Sequence, residues 1–65
     1  MHRTYELYVQ HPDGEVRFEA LTHKGSHAEL MRHVQALADA RGVSAIEVRF
    51  GGAPIFTLMG RPSED

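Results

Sequence analysis

The chain contains no cysteine. Disulfides and thiolate metal sites are both excluded on that ground. No apolar run approaches the ~20 residues that a membrane-spanning helix needs. No apolar signal-peptide region follows Met1-His2-Arg3-Thr4, which leads straight into a strand pattern. A soluble, cytoplasmic protein is the expectation. Charge of one sign is also missing: the net charge is −2, with 7 basic and 9 acidic residues. That balance does not suit a polyanion-binding protein. Tryptophan and asparagine are absent, and all basic residues except Lys24 are arginine. This bias points to a small bacterial protein from a GC-rich genome.

Sixty-five residues make one domain. A core of this size rarely supplies more than about 3–5 kcal/mol. Small domains usually add disulfides, a metal or a partner subunit. Without cysteine, three routes are left: tight packing, association, or a histidine-based metal site.

What is present is a well-marked helix between two strand pairs. Ser26 followed by Glu29 is a capping box, in which each side chain satisfies the other's free backbone N–H. Leu30, Val34, Leu37, Ala38 and Arg41 follow the 3.6-residue period, flanked by Met31. Arg41 suits the last turn and Gly42 the left-handed position after it.

Before the helix, Tyr5, Leu7 and Val9 alternate with Glu6, Tyr8 and Gln10. His11-Pro12-Asp13-Gly14 is a turn signal. A four-residue loop there pairs Val9 with Val16, Leu7 with Phe18 and Tyr5 with Ala20, all on one face. Arg17, Glu19 and Leu21 then point the other way. After the helix, Ile46, Val48 and Phe50 alternate with Ala45, Glu47 and Arg49. Gly51-Gly52 suits a tight primed turn. The last strand, Ile55 to Met59, is apolar on both faces except at Thr57. Such a run suits a central strand. A two-residue loop sets Ile55 opposite Val48, whereas a three-residue loop sets Phe56 there.

The expected fold is α+β: β-β-α-β-β, a four-stranded sheet with one helix on one face. The element order resembles the β-grasp fold of ubiquitin-like domains and the immunoglobulin-binding domain of protein G. The resemblance implies strand order 2-1-4-3, which the apolar last strand favours. A fully antiparallel sheet of order 2-1-3-4 is the alternative. Residues 1–60 form the single domain and 61–65 a flexible polar tail. Ubiquitin-like modifiers and sulfur carriers end in Gly-Gly. Here Gly51-Gly52 lies inside a hairpin, so conjugation or sulfur transfer is not expected. Fold-level likeness does not carry function in any case.

Five histidines are many for this length. His23, His27 and His33 cluster around the helix start and are the candidate metal ligands, although no zinc-signature spacing is present. The simpler reading packs His27 at the core edge and leaves the others solvated. No cofactor is expected. Ser26 is a cap rather than a nucleophile, and no elbow motif surrounds Ser44 or Ser63. Glu15, Glu19 and Glu47, with Arg17 and Arg49 interleaved, read as a solvated face of mixed charge. No catalytic residue is assigned, and an enzyme would have to build its site across a subunit boundary. Glutamates beside Arg17, Arg49 and Tyr8 cancel the field that nucleic acid would need.

The sheet face away from the helix is the better lead. It is expected to carry Tyr8 and Leu21, with Phe56 and Leu58 or else Ile55 and Met59. A contiguous apolar patch of that kind marks an interface. The expected function is a small protein-interaction or adaptor module that uses this face. Its partner is an unidentified protein or a second copy in a homodimer, not nucleic acid or membrane. The alternative is a histidine-based metal- or ligand-binding domain.

Overall fold

The computed structural model describes residues 2–60; the expected tail at 61–65 lies outside them. The elements are β1 (Arg3–Gln10), β2 (Val16–His23), α1 (His27–Arg41), β3 (Ala45–Phe50) and β4 (Ala53–Met59). The fold is α+β, a single antiparallel sheet of order β2-β1-β3-β4.

The β-grasp order is therefore not adopted; β3, not β4, lies beside β1. The reason can be read in the two strands. Ala45, Ile46 and Val48 of β3 are buried, whereas most of β4 is exposed. β4 also contains Pro54. Proline cannot donate to a ladder and is confined to edge strands or bulges. The apolar run of β4 thus reflects an edge strand beneath the helix, not a central one.

β2 and β3 both run antiparallel to β1, so they are parallel to each other. The helix is the crossover between them. Its N-terminus is capped as the sequence predicts. The Ser26 N–H donates to Glu29 Oε1 (2.9 Å), and the Glu29 N–H donates to Ser26 Oγ (3.1 Å). Gly42 closes the other end at φ 64°, its N–H donating to the Ala38 carbonyl. Leu30, Val34 and Ala38 are buried against Leu7, Val9, Ile46 and Val48, with Tyr5 and Val43 completing the core. The helix lies nearest β4 and β3, so the helix side of β2 is left partly open. There Arg41 reaches back to Glu19 at 2.6 Å.

Hydrogen bonding to the carboxyl from Ser26, first from its backbone N–H and then from its side chain, holds Glu29 below its ordinary range. A carboxylate whose folded pKa is depressed adds stability above its unfolded pKa. That stability is lost as pH falls through the folded value. Glu29→Gln should therefore flatten the acid limb of a plot of unfolding midpoint against pH. Ser26→Ala should cost about 1 kcal/mol in urea unfolding. An acid limb unchanged in Glu29→Gln would place the pH dependence elsewhere.

The first hairpin differs from expectation by one residue. Its loop is His11–Glu15, because Gln10 pairs with Val16 and Val9 with Arg17. The Gly14 N–H donates to the His11 carbonyl (2.9 Å), and the His11 N–H to the Glu15 carbonyl (2.8 Å). Gly14 takes φ 94°. This is a type I turn followed by a glycine bulge. The extra residue turns every β2 side chain to the opposite face. Arg17, Glu19, Leu21 and His23 share the helix side with Tyr5, Leu7 and Val9; Val16, Phe18, Ala20 and Thr22 face away with Tyr8.

The second hairpin combines both expected registers. Phe50 pairs with Ala53 across a two-residue Gly51-Gly52 turn, with φ 60° and 83°. A bulge follows, in which Ile55 has no partner of its own, and Phe56 comes opposite Val48.

Candidate interaction face

These two registers decide what the uncovered sheet face contains. Tyr8 is there, as expected. Leu21, Phe56 and Leu58 are not: all three pack against the core on the helix side. The glycine bulge moved Leu21, and the Ile55 bulge held Phe56 and Leu58 beneath the helix. In their place stand Val16, Phe18 and Met59, which are 57%, 59% and 68% exposed. Met59 belongs to the second of the two readings of β4. Val16 and Phe18 escape a four-residue loop. Gly14, three residues after His11, is the signal that a glycine-bulge loop would have required.

The apolar part of the face has internal order. The Tyr8 and Phe18 rings meet edge to face, with centroids 5.5 Å apart. On the other side of Tyr8, the Arg49 guanidinium lies 4.7 Å from the ring centroid. Arg49 Nη2 donates to Glu47 Oε1 at 3.3 Å, while Nε lies 3.2 Å from Oε2 without a hydrogen bond. This hydrogen bond and the charge of Glu47 raise the Arg49 pKa above its ordinary value. Glu6 is taken up locally, accepting from the Gly52 N–H at 3.1 Å. The face thus carries an apolar group, Val16, Phe18 and Tyr8, over β2 and the middle of β1, and a neutralised polar half over β3, with Met59 apart from both on β4. Arg17 and Glu19 are not part of it, contrary to expectation; the hairpin register places both on the helix side.

The three candidate metal ligands separate. His23 and His33 come together, with ring centroids 5.8 Å apart. His27 packs edge-on against Phe56 at 5.3 Å, on the β4 side. Among the described residues no group of three histidines or carboxylates is placed to hold a metal. His23 lines an open cleft of about 420 Å³ with Arg3, Tyr5, Lys24 and Gly25. Its Nε2 is buried and has no hydrogen-bond partner. Ser26 Oγ is occupied as the helix cap.

No protein-family model matches this chain, and no curated protein or solved structure is significantly similar to it. Among the described residues no helix is long and apolar enough to cross a membrane.

Proposed function

We propose that this domain is a protein-interaction module working through the uncovered face of its sheet. One observation carries the reading: Val16 and Phe18 stand exposed side by side on that face, next to Tyr8. Phe18 is held in place by Tyr8, which Arg49 backs in turn. Large exposed apolar side chains scattered singly are ordinary, but a contiguous group marks an interaction surface. An aromatic ring braced by another ring loses little freedom on binding and suits an anchor. The neutralised polar half supplies a rim. A domain with so small a core also gains buried area from a partner.

Phe18→Ser separates binding from folding. Phe18 is exposed, so the loss of stability is limited to its contact with Tyr8, about 0.5–1.5 kcal/mol, and to the weaker strand preference of serine, up to about 1 kcal/mol. The thermal transition should stay cooperative. Proteins captured from a cell extract by the wild-type domain should be lost from the variant. Equal capture by both would defeat the reading.

A further inference from the structure

The two edges of the sheet are built differently. On β4, Pro54 has no N–H, Ile55 is bulged, and Gln35 Nε2 donates to the Met59 carbonyl at 3.3 Å. Proline, bulges and cover are the usual devices that keep an edge from pairing. Among the described residues β2 has none of these. It runs for 8 residues, Val16–His23, without proline, lysine or glycine, and each residue has a β1 partner in unbroken register. Its charged residues, Arg17 and Glu19, deter a strand of arbitrary sequence. They do not deter a strand that presents the opposite charges in the same places.

The hydrogen-bond alternation identifies the free groups. The His11 N–H bonds the Glu15 carbonyl, so the bonded pairs continue as Val9–Arg17, Leu7–Glu19 and Tyr5–Leu21. The N–H and C=O groups of Val16, Phe18 and Ala20 therefore point outward from the edge. An antiparallel second copy, with Phe18 opposite its own equivalent, pairs Val16 with Ala20 and satisfies all of these groups. In the same register Arg17 lies opposite the other copy's Glu19, twice by symmetry. These are non-hydrogen-bonded positions, where side chains approach most closely. Within one chain Arg17 already meets Glu15 at 2.9 Å and Glu19 meets Arg41 at 2.6 Å, so the contact extends two existing ion pairs of alternating sign. Sliding by two residues, to Ala20 opposite Phe18, sets Glu19 against Glu19, which is unfavourable.

We infer that the chain forms a two-fold dimer by antiparallel β2–β2 pairing centred on Phe18. The result is one continuous eight-stranded sheet with both helices on the same side. Even-residue pairing keeps like faces together, so the two Phe18 rings adjoin on the open face. The inference concerns the edge of the sheet and stands apart from capture of a partner by its face.

The test uses charge reversal and a backbone block. Arg17→Glu sets Glu against Glu19 in a homodimer, and Glu19→Arg sets Arg against Arg17. Each alone should sediment as a single chain at concentrations where the wild type sediments with twice that mass. Mixed together they are complementary at both contacts and should restore the double mass. Ala20→Pro removes an outward N–H while sparing the bonds to β1, and should also give a single chain with an intact circular dichroism spectrum. Hydrogen exchange on the wild type supplies a readout free of variants: the Val16, Phe18 and Ala20 amides should be protected, and lose protection on dilution. Three results would each overturn the inference: a wild type that sediments as one chain at every concentration, a mixture that stays unpaired, or freely exchanging edge amides. A dimer that survives Ala20→Pro but is lost in Phe18→Ser would place the contact on the face instead.

Discussion

Leu30→Ala should abolish cooperative unfolding of this domain. Leu30 is 1% exposed and sits where the helix meets the sheet, in one cluster with Leu7, Val9, Val34, Ile46 and Val48. Truncating such a side chain costs about 2–5 kcal/mol, the larger values arising where the surroundings cannot close the cavity. Here the cavity would be walled by a helix on one side and a hydrogen-bonded sheet on the other. Neither collapses easily. Against a total of about 3–5 kcal/mol for a core this small, the loss consumes most or all of the stability. Far-UV circular dichroism in a urea titration should show no folded baseline, or one that slopes from the start. Leu37→Ala, on the half-buried flank of the same helix, should retain a transition. A wild-type midpoint for Leu30→Ala would show that the helix does not pack as described. If the chain dimerises, midpoints rise with concentration, so the comparison must be made at equal concentration.

Gly60→Ala should be the second severe substitution, although Gly60 lies beyond the last strand. Its N–H donates to the Ser44 carbonyl at 2.8 Å. A Cβ added there would strike the Val43 carbonyl oxygen and come within 3.0 Å of the Val43 carbonyl carbon. Both obstacles are backbone, and Val43 is buried, so no flexible side chain can yield. Either the Gly60–Ser44 bond breaks or the end of β4 moves away from the start of β3. Forcing extra bulk into a packed site costs about 1–3 kcal/mol, occasionally more. Gly52→Ala is the informative comparison. Gly52 has φ 83° and open space around it. Its cost is conformational only, about 1–2 kcal/mol. Urea midpoints should place Gly60→Ala at or below Gly52→Ala, and the Ser44 and Met59 region should lose hydrogen-exchange protection in Gly60→Ala alone. Wild-type exchange throughout Gly60→Ala would show that the chain does not approach Val43 so closely.

These two positions differ in how far the sequence reveals them. Leu30 lies on a regular apolar period and reads as core from the sequence. Gly60 reads only as the last residue before a polar tail. Its constraint comes from Val43, 17 residues earlier in the chain. The interaction face shows the same division. Tyr8 was legible because the β1 alternation is unambiguous. Phe18 was not, because its side of the sheet depends on whether the first hairpin has four loop residues or five. Val16, Phe18 and Ala20 form as good an apolar set on either face, so the β2 pattern cannot decide between them. The chain connection settles it, through the bulge at Gly14.

Taken alone, the sequence determined the features that depend on neighbours within a few positions. These are the helix and both its caps, the four strands, the sites of the two hairpins, and the helix and β1 contributions to the core. Only the tertiary structure decided the strand order, the side that β2 turns outward and the bulge at Ile55. The physical reason is the two-residue period of a strand. A slip of one residue costs little locally but exchanges the two faces entirely. Strand order likewise rests on which strand can be buried on both sides, and that depends on elements far apart in the chain. Pro54 was the one local sign that β4 belongs at an edge, and the apolar run beside it concealed that sign.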